Sequence, residues 1–157
     1  PVVIIDYTII ILGGSILNSS FHYLVMAEQA MVQKALLACI KGSGLTLGQP
    51  KVLDYLNDHN GASQKDIAGG CHIEAGSLTS ILNRMEERGI VERRMLHGNR
   101  RSSYVFLTEK GEKLRDLVTK SFEQIEDEAF QGISEQEKEQ FMQTFSKIYE
   151  NLTTKED

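Results

Sequence analysis

Apolar positions along this chain recur at helical spacing in a series of blocks, and once the period switches to that of strands. Residues 21–41 hold Phe21, Leu24, Val25, Ala27, Met31, Val32, Ala35, Leu36, Cys39 and Ile40, which wrap more than one face and predict a long helix buried on two sides. Gly42-Ser43-Gly44 ends it. Thr46-Leu-Gly-Gln49 has the form of a capping box and predicts a helix through Val52, Leu53, Tyr55 and Leu56 to His59, with Pro50 tolerated in its first turn. Ser63-Gln-Lys-Asp66 predicts a further start: an oxygen to cap orphan N–H groups and a carboxylate at the positive end of the dipole. That helix is expected to stop at Gly69-Gly70. Leu78, Ile81, Leu82 and Met85 then form the stripe of another amphipathic helix, ended by Gly89.

The strand-like interval follows. Ile90-Val91-Glu92-Arg93-Arg94 and Tyr104-Val105-Phe106-Leu107 flank a reversal at Gly98-Asn99, so a β-hairpin is expected there. Beyond it, Thr108 caps a helix carrying Leu114, Leu117, Val118, Phe122, Ile125 and Phe130 to about Gln131. Ser134-Glu-Gln-Glu137 caps a last helix with Phe141, Met142, Phe145, Ile148, Tyr149 and Leu152. The tail from Thr153 to Asp157 is expected to fray. The fold class is therefore mainly α with a small β-wing (α+β).

Helix, turn, helix and wing, with the second helix presenting small polar and basic groups, is a geometry for entering a DNA major groove. Ser77, Thr79, Ser80, Asn83, Arg84 and Arg88 fall on or beside the side of that helix away from its apolar stripe. Arg93 and Arg94 at the base of the hairpin suit phosphates, and Arg100 and Arg101 at its tip suit a minor groove. Overall charge reads differently until it is localised. The net charge is −5, but residues 61–108 hold seven Lys/Arg against five acids, whereas residues 109–157 hold seven against thirteen. The positive charge sits where this geometry could use it.

Length and 41% hydrophobic content suit one globular domain, or a small domain set in a helical dimer. The cysteines, Cys39 and Cys71, form no CxxC and fit a reducing cytoplasm. Core packing is the expected role of both. The histidines His22, His59, His72 and His97 show no metal-ligand spacing, so neither metal nor cofactor is expected. Gly42-x-Gly44 with Gly48 follows a helix, not a strand, and reads as linker rather than dinucleotide loop. Glu126-Asp127-Glu128 reads as a solvated face. The start, Pro1 to Leu12, is a β-branched run interrupted by Asp6, too short for a membrane helix and lacking a basic segment for a signal peptide. An extended arm covered by a neighbour or by the body is expected. No nucleophile–base pair or supported carboxylate pair is present, so the reading is not an enzyme.

The order and spacing of several segments resemble the MarR family of winged helix-turn-helix regulators. These are Leu45-Thr46-Leu-Gly-Gln49, Ser63 to Ala68, Ser77-Leu78-Thr79, Arg84-Met85-Glu86-Glu87-Arg88-Gly89-Ile90-Val91, Gly98-Asn99-Arg100-Arg101, Leu107-Thr108-Glu109-Lys110-Gly111 and Ile133-Ser134-Glu135. The resemblance covers about residues 21–152, with the winged helix over about 46–107, dimerisation helices at 21–41 and 109–152, and an extension of unknown role at 1–20. It implies a homodimer on a pseudo-palindromic double-stranded DNA operator, a repressor open to release by a small aromatic ligand. Arg101 is implied to reach the minor groove, although Asn99 stands where the family usually has the Asp that braces it. The implied ligand crevice has His22, Tyr23, Met26, Tyr55, His59 and Phe122 as candidate lining. Alternatives of other classes are a winged-helix protein–protein module, a cysteine-based redox sensor, and the dimerisation portion of a methyltransferase. The last needs a cofactor domain for which the sequence has no signal. The sensor's reactive cysteine is implied near the start of the first long helix, where this chain has Phe21-His22-Tyr23.

Overall fold

A computed structural model of the chain describes residues 11–12, 15–16, 20–95 and 103–153. In chain order the elements are β1 (Ile11–Leu12), β2 (Ser15–Ile16), α1 (Phe21–Cys39), α2 (Gln49–Asp58), α3 (Gln64–Cys71), α4 (Ala75–Glu87), β3 (Val91–Arg94), β4 (Tyr104–Leu107), α5 (Glu109–Ala129) and α6 (Glu135–Thr153). Residues as far as Phe122 form one compact unit and residues from Glu123 another, so the boundary falls within α5. Of the expected extended arm, Pro1 to Leu12, the described residues are Ile11 and Leu12, which form β1 and pair with β2, Ile11 opposite Ile16. Of the tail expected to fray, Thr153 is instead the last residue of α6, and residues 154–157 lie outside the described residues.

Side-chain caps set the starts of α3, α5 and α6, whereas α1, α2 and α4 have no side-chain cap bond. The Ser63 hydroxyl accepts from Asp66 N–H at 3.1 Å at the head of α3. At α6 the box is reciprocal: Ser134 Oγ accepts from Glu137 N–H at 3.3 Å while Glu137 Oε2 accepts from Ser134 N–H at 3.0 Å. Ser134 Oγ also donates to Glu137 Oε2 at 2.6 Å, and this bond, with that from Ser134 N–H, holds the Glu137 carboxyl below its ordinary value. Thr108 Oγ1 accepts from Gly111 N–H at 3.0 Å and itself donates to Gly89 O at 2.7 Å, so the cap of α5 also fastens it to the end of α4.

Other boundaries move. The box at Thr46 is half made: Gln49 Oε1 accepts from Thr46 N–H at 3.0 Å, but left-handed Gly48 is the N-cap and α2 begins at Gln49. Pro50 falls in the first turn, where its missing N–H would have had no helical partner in any case. α3 runs through Gly69-Gly70 to Cys71. A Cβ on Gly70 would lie 2.1 Å from Tyr55 Cε2, so this glycine permits close packing of α2 rather than ending the helix. The stop comes at His72, in the left-handed region at φ 49°, with Ile73 N–H returning to Ala68 O at 3.0 Å.

The winged-helix core consists of Val52, Leu53 and Leu56 of α2, Ile67 and Cys71 of α3, Leu78, Leu82 and Met85 of α4, and Ile90, Val91 and Val105 of the ribbon, all buried. β3 and β4 are antiparallel, with Val91 opposite Leu107 and Arg94 opposite Tyr104. A further extended segment joins this sheet. Gly61 N–H donates to Val105 O, Val105 N–H to Ala62 O, and Gln64 N–H to Ser103 O, each at 2.9 Å, while Asn60 Oδ1 accepts from Leu107 N–H at 2.9 Å. The wing is thus tied to the chain entering α3. α1 behaves differently from its expectation of two-sided burial. Only Leu36 within it is buried, while Phe21, Leu24, Val25, Met26, Met31 and Val32 are exposed in the single chain.

Candidate nucleic-acid interface

α4 has one face committed to the core, through Leu78, Ile81, Leu82 and Met85. A turn in which Gly89 N–H donates to Glu86 O and Ile90 N–H to Met85 O, both at 2.8 Å, closes its C-terminus; Gly89 sits at φ 66°, as this motif requires. Opposite the core face, Ser77, Ser80, Asn83 and Arg84 are exposed. Arg84 makes no ion pair among the described residues. Thr79 is half-buried and otherwise engaged: its hydroxyl donates to Ala75 O at 2.9 Å and accepts from Gln64 Nε2 at 2.7 Å. That contact locks α3 to α4 and so fixes the presentation of α4's outer face.

The arginines divide by partner. Arg88 was expected outward with Arg84, but its guanidinium donates to Gly44 O and to Ser43 O, and Lys110 Nζ donates to Arg88 O at 2.7 Å. It therefore ties the loop after α1 to the end of α4, a structural contact in place of an open one. Arg93, expected to face phosphates, pairs with Glu86 at 2.5 Å and also donates to Asn83 Oδ1 at 2.8 Å. The hydrogen bond from Arg93 holds the Glu86 carboxyl below its usual range. Arg94 is exposed, pairs with Glu92 and lies 4.5 Å from the Phe106 ring centroid. Arg100, Arg101 and the Asn99 position lie outside the described residues.

The residues that sequence reasoning missed are Gln64 and Asn60, which position the interface from either side of α3's cap. Their signal was weak, since both are polar residues in a short stretch without strand periodicity. Of the six residues expected to line a ligand crevice, the structure brings Tyr55 and His59 together. Their rings stack at 4.3 Å with 10° between planes, and His59 Nδ1 lies 3.0 Å from Tyr55 O. His22, Tyr23 and Met26 are exposed along α1, Phe122 is half-buried on α5, and none of the four joins that stack. Cys71 is buried with Sγ 3.5 Å from Lys51 O, and burial pushes its thiol pKa up, the opposite of an activated thiolate. Glu126, Asp127 and Glu128 are exposed. Among the described residues no helix is long and apolar enough to cross a membrane.

A helix locked by its predecessor, with one face buried and the other polar and basic, beside a two-stranded ribbon, defines a winged helix-turn-helix protein. The MarR family profile matches residues 45–103, the winged-helix portion of the chain. It is 25% identical over 109 residues to the HTH-type transcriptional regulator BilQ of Clostridium symbiosum, covering 69% of this chain and 76% of that protein. Among solved structures it is similar to S. aureus MepR in a complex with DNA, at TM-score 0.75 and 27% identity over 86% of this chain and 99% of that one. A MarR transcriptional regulator from Methanosarcina mazei shares the fold at TM-score 0.77 and 21% identity, over 89% of this chain and 94% of that one.

Proposed function

We propose that this regulator represses transcription by occupying a pseudo-palindromic double-stranded DNA operator as a homodimer. The observation that carries the reading is the division of α4: a fully committed core face, and an outer face on which Ser77, Ser80, Asn83 and Arg84 are exposed. A helix entering a major groove reads base edges with such groups. In this reading Arg84 makes the strongest contact of α4, Arg94 meets phosphate, and Arg100 and Arg101 extend toward the neighbouring minor groove. Arg88 and Arg93 serve the scaffold. A protein–protein module on the same scaffold would favour an apolar or acidic outer face on α4, which this polar and basic set does not resemble. The homodimer is supported by the exposed apolar side chains of α1 and α6, which suit an obligate interface. The ligand-release part has one support, the Tyr55–His59 stack, an aromatic surface suited to a planar phenolic compound.

Selection of bound fragments from chromosomal DNA, followed by a gel shift and a reporter assay on the selected promoter, tests the proposal. The expected result is an inverted repeat bound by two protomers, with expression rising when the gene for this protein is deleted. Recovery of no enriched sequence removes the DNA reading, and falling expression reverses the sign to activation. Titrating small phenolic compounds against the operator complex tests release separately.

A further inference from the structure

Glu86, Arg93 and Asn83 form a closed network at the junction of α4 and β3. Glu86 Oε1 accepts from Arg93 N–H at 3.1 Å and Glu86 Oε2 accepts from Arg93 Nε at 3.0 Å, so both carboxylate oxygens are engaged by one residue. Arg93 Nη2 donates both to Glu86 Oε2, at 2.5 Å, and to Asn83 Oδ1, at 2.8 Å. Arg93 is further fixed by its strand, lying opposite Val105 in a ribbon whose second strand is bonded to the 61–64 segment. A guanidinium has donors only, so chemistry alone requires the oxygen of the Asn83 amide, not its nitrogen, to face Arg93.

We infer that Arg93, held by Glu86, orients the Asn83 amide so that its NH2 group is presented to DNA and selects a base edge bearing acceptors, guanine or thymine, over adenine. The inference rests on the DNA-binding reading above. An asparagine recognises adenine with both ends of its amide, accepting from N6 while donating to N7. With its oxygen turned to Arg93, Asn83 retains donors for the open face. Guanine O6 and N7 or thymine O4 satisfy them; adenine N7 can still accept, but the adenine N6 amino group, like that of cytosine, then faces a donor instead of the amide oxygen it needs. Arg93 is thus a positioning residue for readout. Glu86 is ionised under ordinary conditions, in keeping with this arrangement.

The test is selection from a pool of randomised duplexes by the full chain, as wild type, Asn83→Asp, Asn83→Ala and Arg93→Lys, with thermal melts to check folding. Wild type should show guanine or thymine at one symmetry-related pair of positions, and Asn83→Ala should lose that preference by roughly 5- to 100-fold. Asn83→Asp keeps an oxygen toward Arg93 but presents an acceptor, so preference at that pair should move to cytosine. Arg93→Lys keeps a charge for Glu86 but lacks the forked donor reaching Asn83, so adenine should become accepted there and nowhere else. Because Asn83 is exposed, its variants decide the matter even where Arg93→Lys melts early. A wild-type adenine preference at the Asn83-dependent pair, an unmoved preference in Asn83→Asp, or a uniform affinity loss in a folded Arg93→Lys each overturns the inference. Failure of wild type to select any duplex overturns the DNA reading itself, and this inference with it.

Discussion

α4 and α6 are amphipathic helices written with the same spacing of apolar residues, yet they end in opposite situations. The stripe of α4, from Leu78 to Met85, is buried by neighbours within its own unit. α6 has no buried residue, and Phe141, Met142, Phe145, Tyr149 and Leu152 are exposed in the single chain. Within α6, Phe141 and Phe145 stack at 5.3 Å, and Phe141 meets Phe130 edge-on. Helical periodicity therefore identifies a face that must be covered without saying by which molecule. The winged helix closes on itself because α2, α3, α4 and the ribbon each bring a stripe to the same centre. The exposed faces of α1 and α6 have the composition of half an interface.

The comparison breaks most sharply if the closed region is not closed. Gly111 lies in the first turn of α5, where a Cβ would sit 2.1 Å from the backbone oxygen of Ile90. Backbone cannot yield as a flexible side chain does, so Gly111→Ala should cost about 3–4 kcal/mol in a urea melt. A loss below about 1 kcal/mol would show that α5 does not pack this tightly on the start of the ribbon. On the open side, Phe145→Glu should weaken the proposed dimer by about 2–3 kcal/mol while leaving helix content unchanged. Sedimentation over a concentration series measures it, and an unchanged dimer means that α6 is not the covered surface.

The outer face of α4 gives smaller effects. Arg84→Ala should lose about 1–3 kcal/mol of operator binding and relax preference at one position, measured by competition between duplexes, with no change in stability. Arg101→Ala should weaken binding and lower the slope of its salt dependence by about one unit if it also neutralises a phosphate. Gly76 is a subtler case. A Cβ there meets nothing within 4 Å and its φ is not positive, so neither packing nor backbone conformation requires glycine. Gly76→Ala should stabilise the helix by about 0.5–1 kcal/mol; if operator binding also falls, close approach to DNA is what the glycine serves.

The smallest expected effect is one of pH. Interaction with Arg93 depresses the Glu86 carboxyl in the folded state, so the unfolded chain takes up its proton first as pH falls. The stabilisation is therefore present above the ordinary glutamate value and is lost as pH drops through the lower folded value. With the Glu86 side chain 39% exposed, screening limits it to about 0.5 kcal/mol. The stability difference between wild type and Glu86→Gln should narrow from pH 7 toward pH 3.5. A constant difference would assign the effect to something other than this ionisation.

Helix identity and the starts of α3, α5 and α6 were legible without the structure, because caps act within four residues: Ser63 with Asp66, Thr108 with Gly111, Ser134 with Glu137. The buried stripe of α4 was legible for the same reason, since 3.6-residue periodicity is a property of neighbours along the chain. The sequence also located the excess of positive charge in residues 61–108. What each arginine does was decided only in three dimensions. Arg88 meets carbonyls at Ser43 and Gly44, Arg93 meets Glu86 and Asn83, and Arg94 meets Glu92 and Phe106, while Arg84 makes no ion pair among the described residues. The short extended segment before α3 and the Gln64–Thr79 lock belong to the same category. Local order follows from interactions within a turn or two, which sequence spacing encodes directly; the partner of a long charged side chain depends on where distant segments are brought, which spacing does not encode.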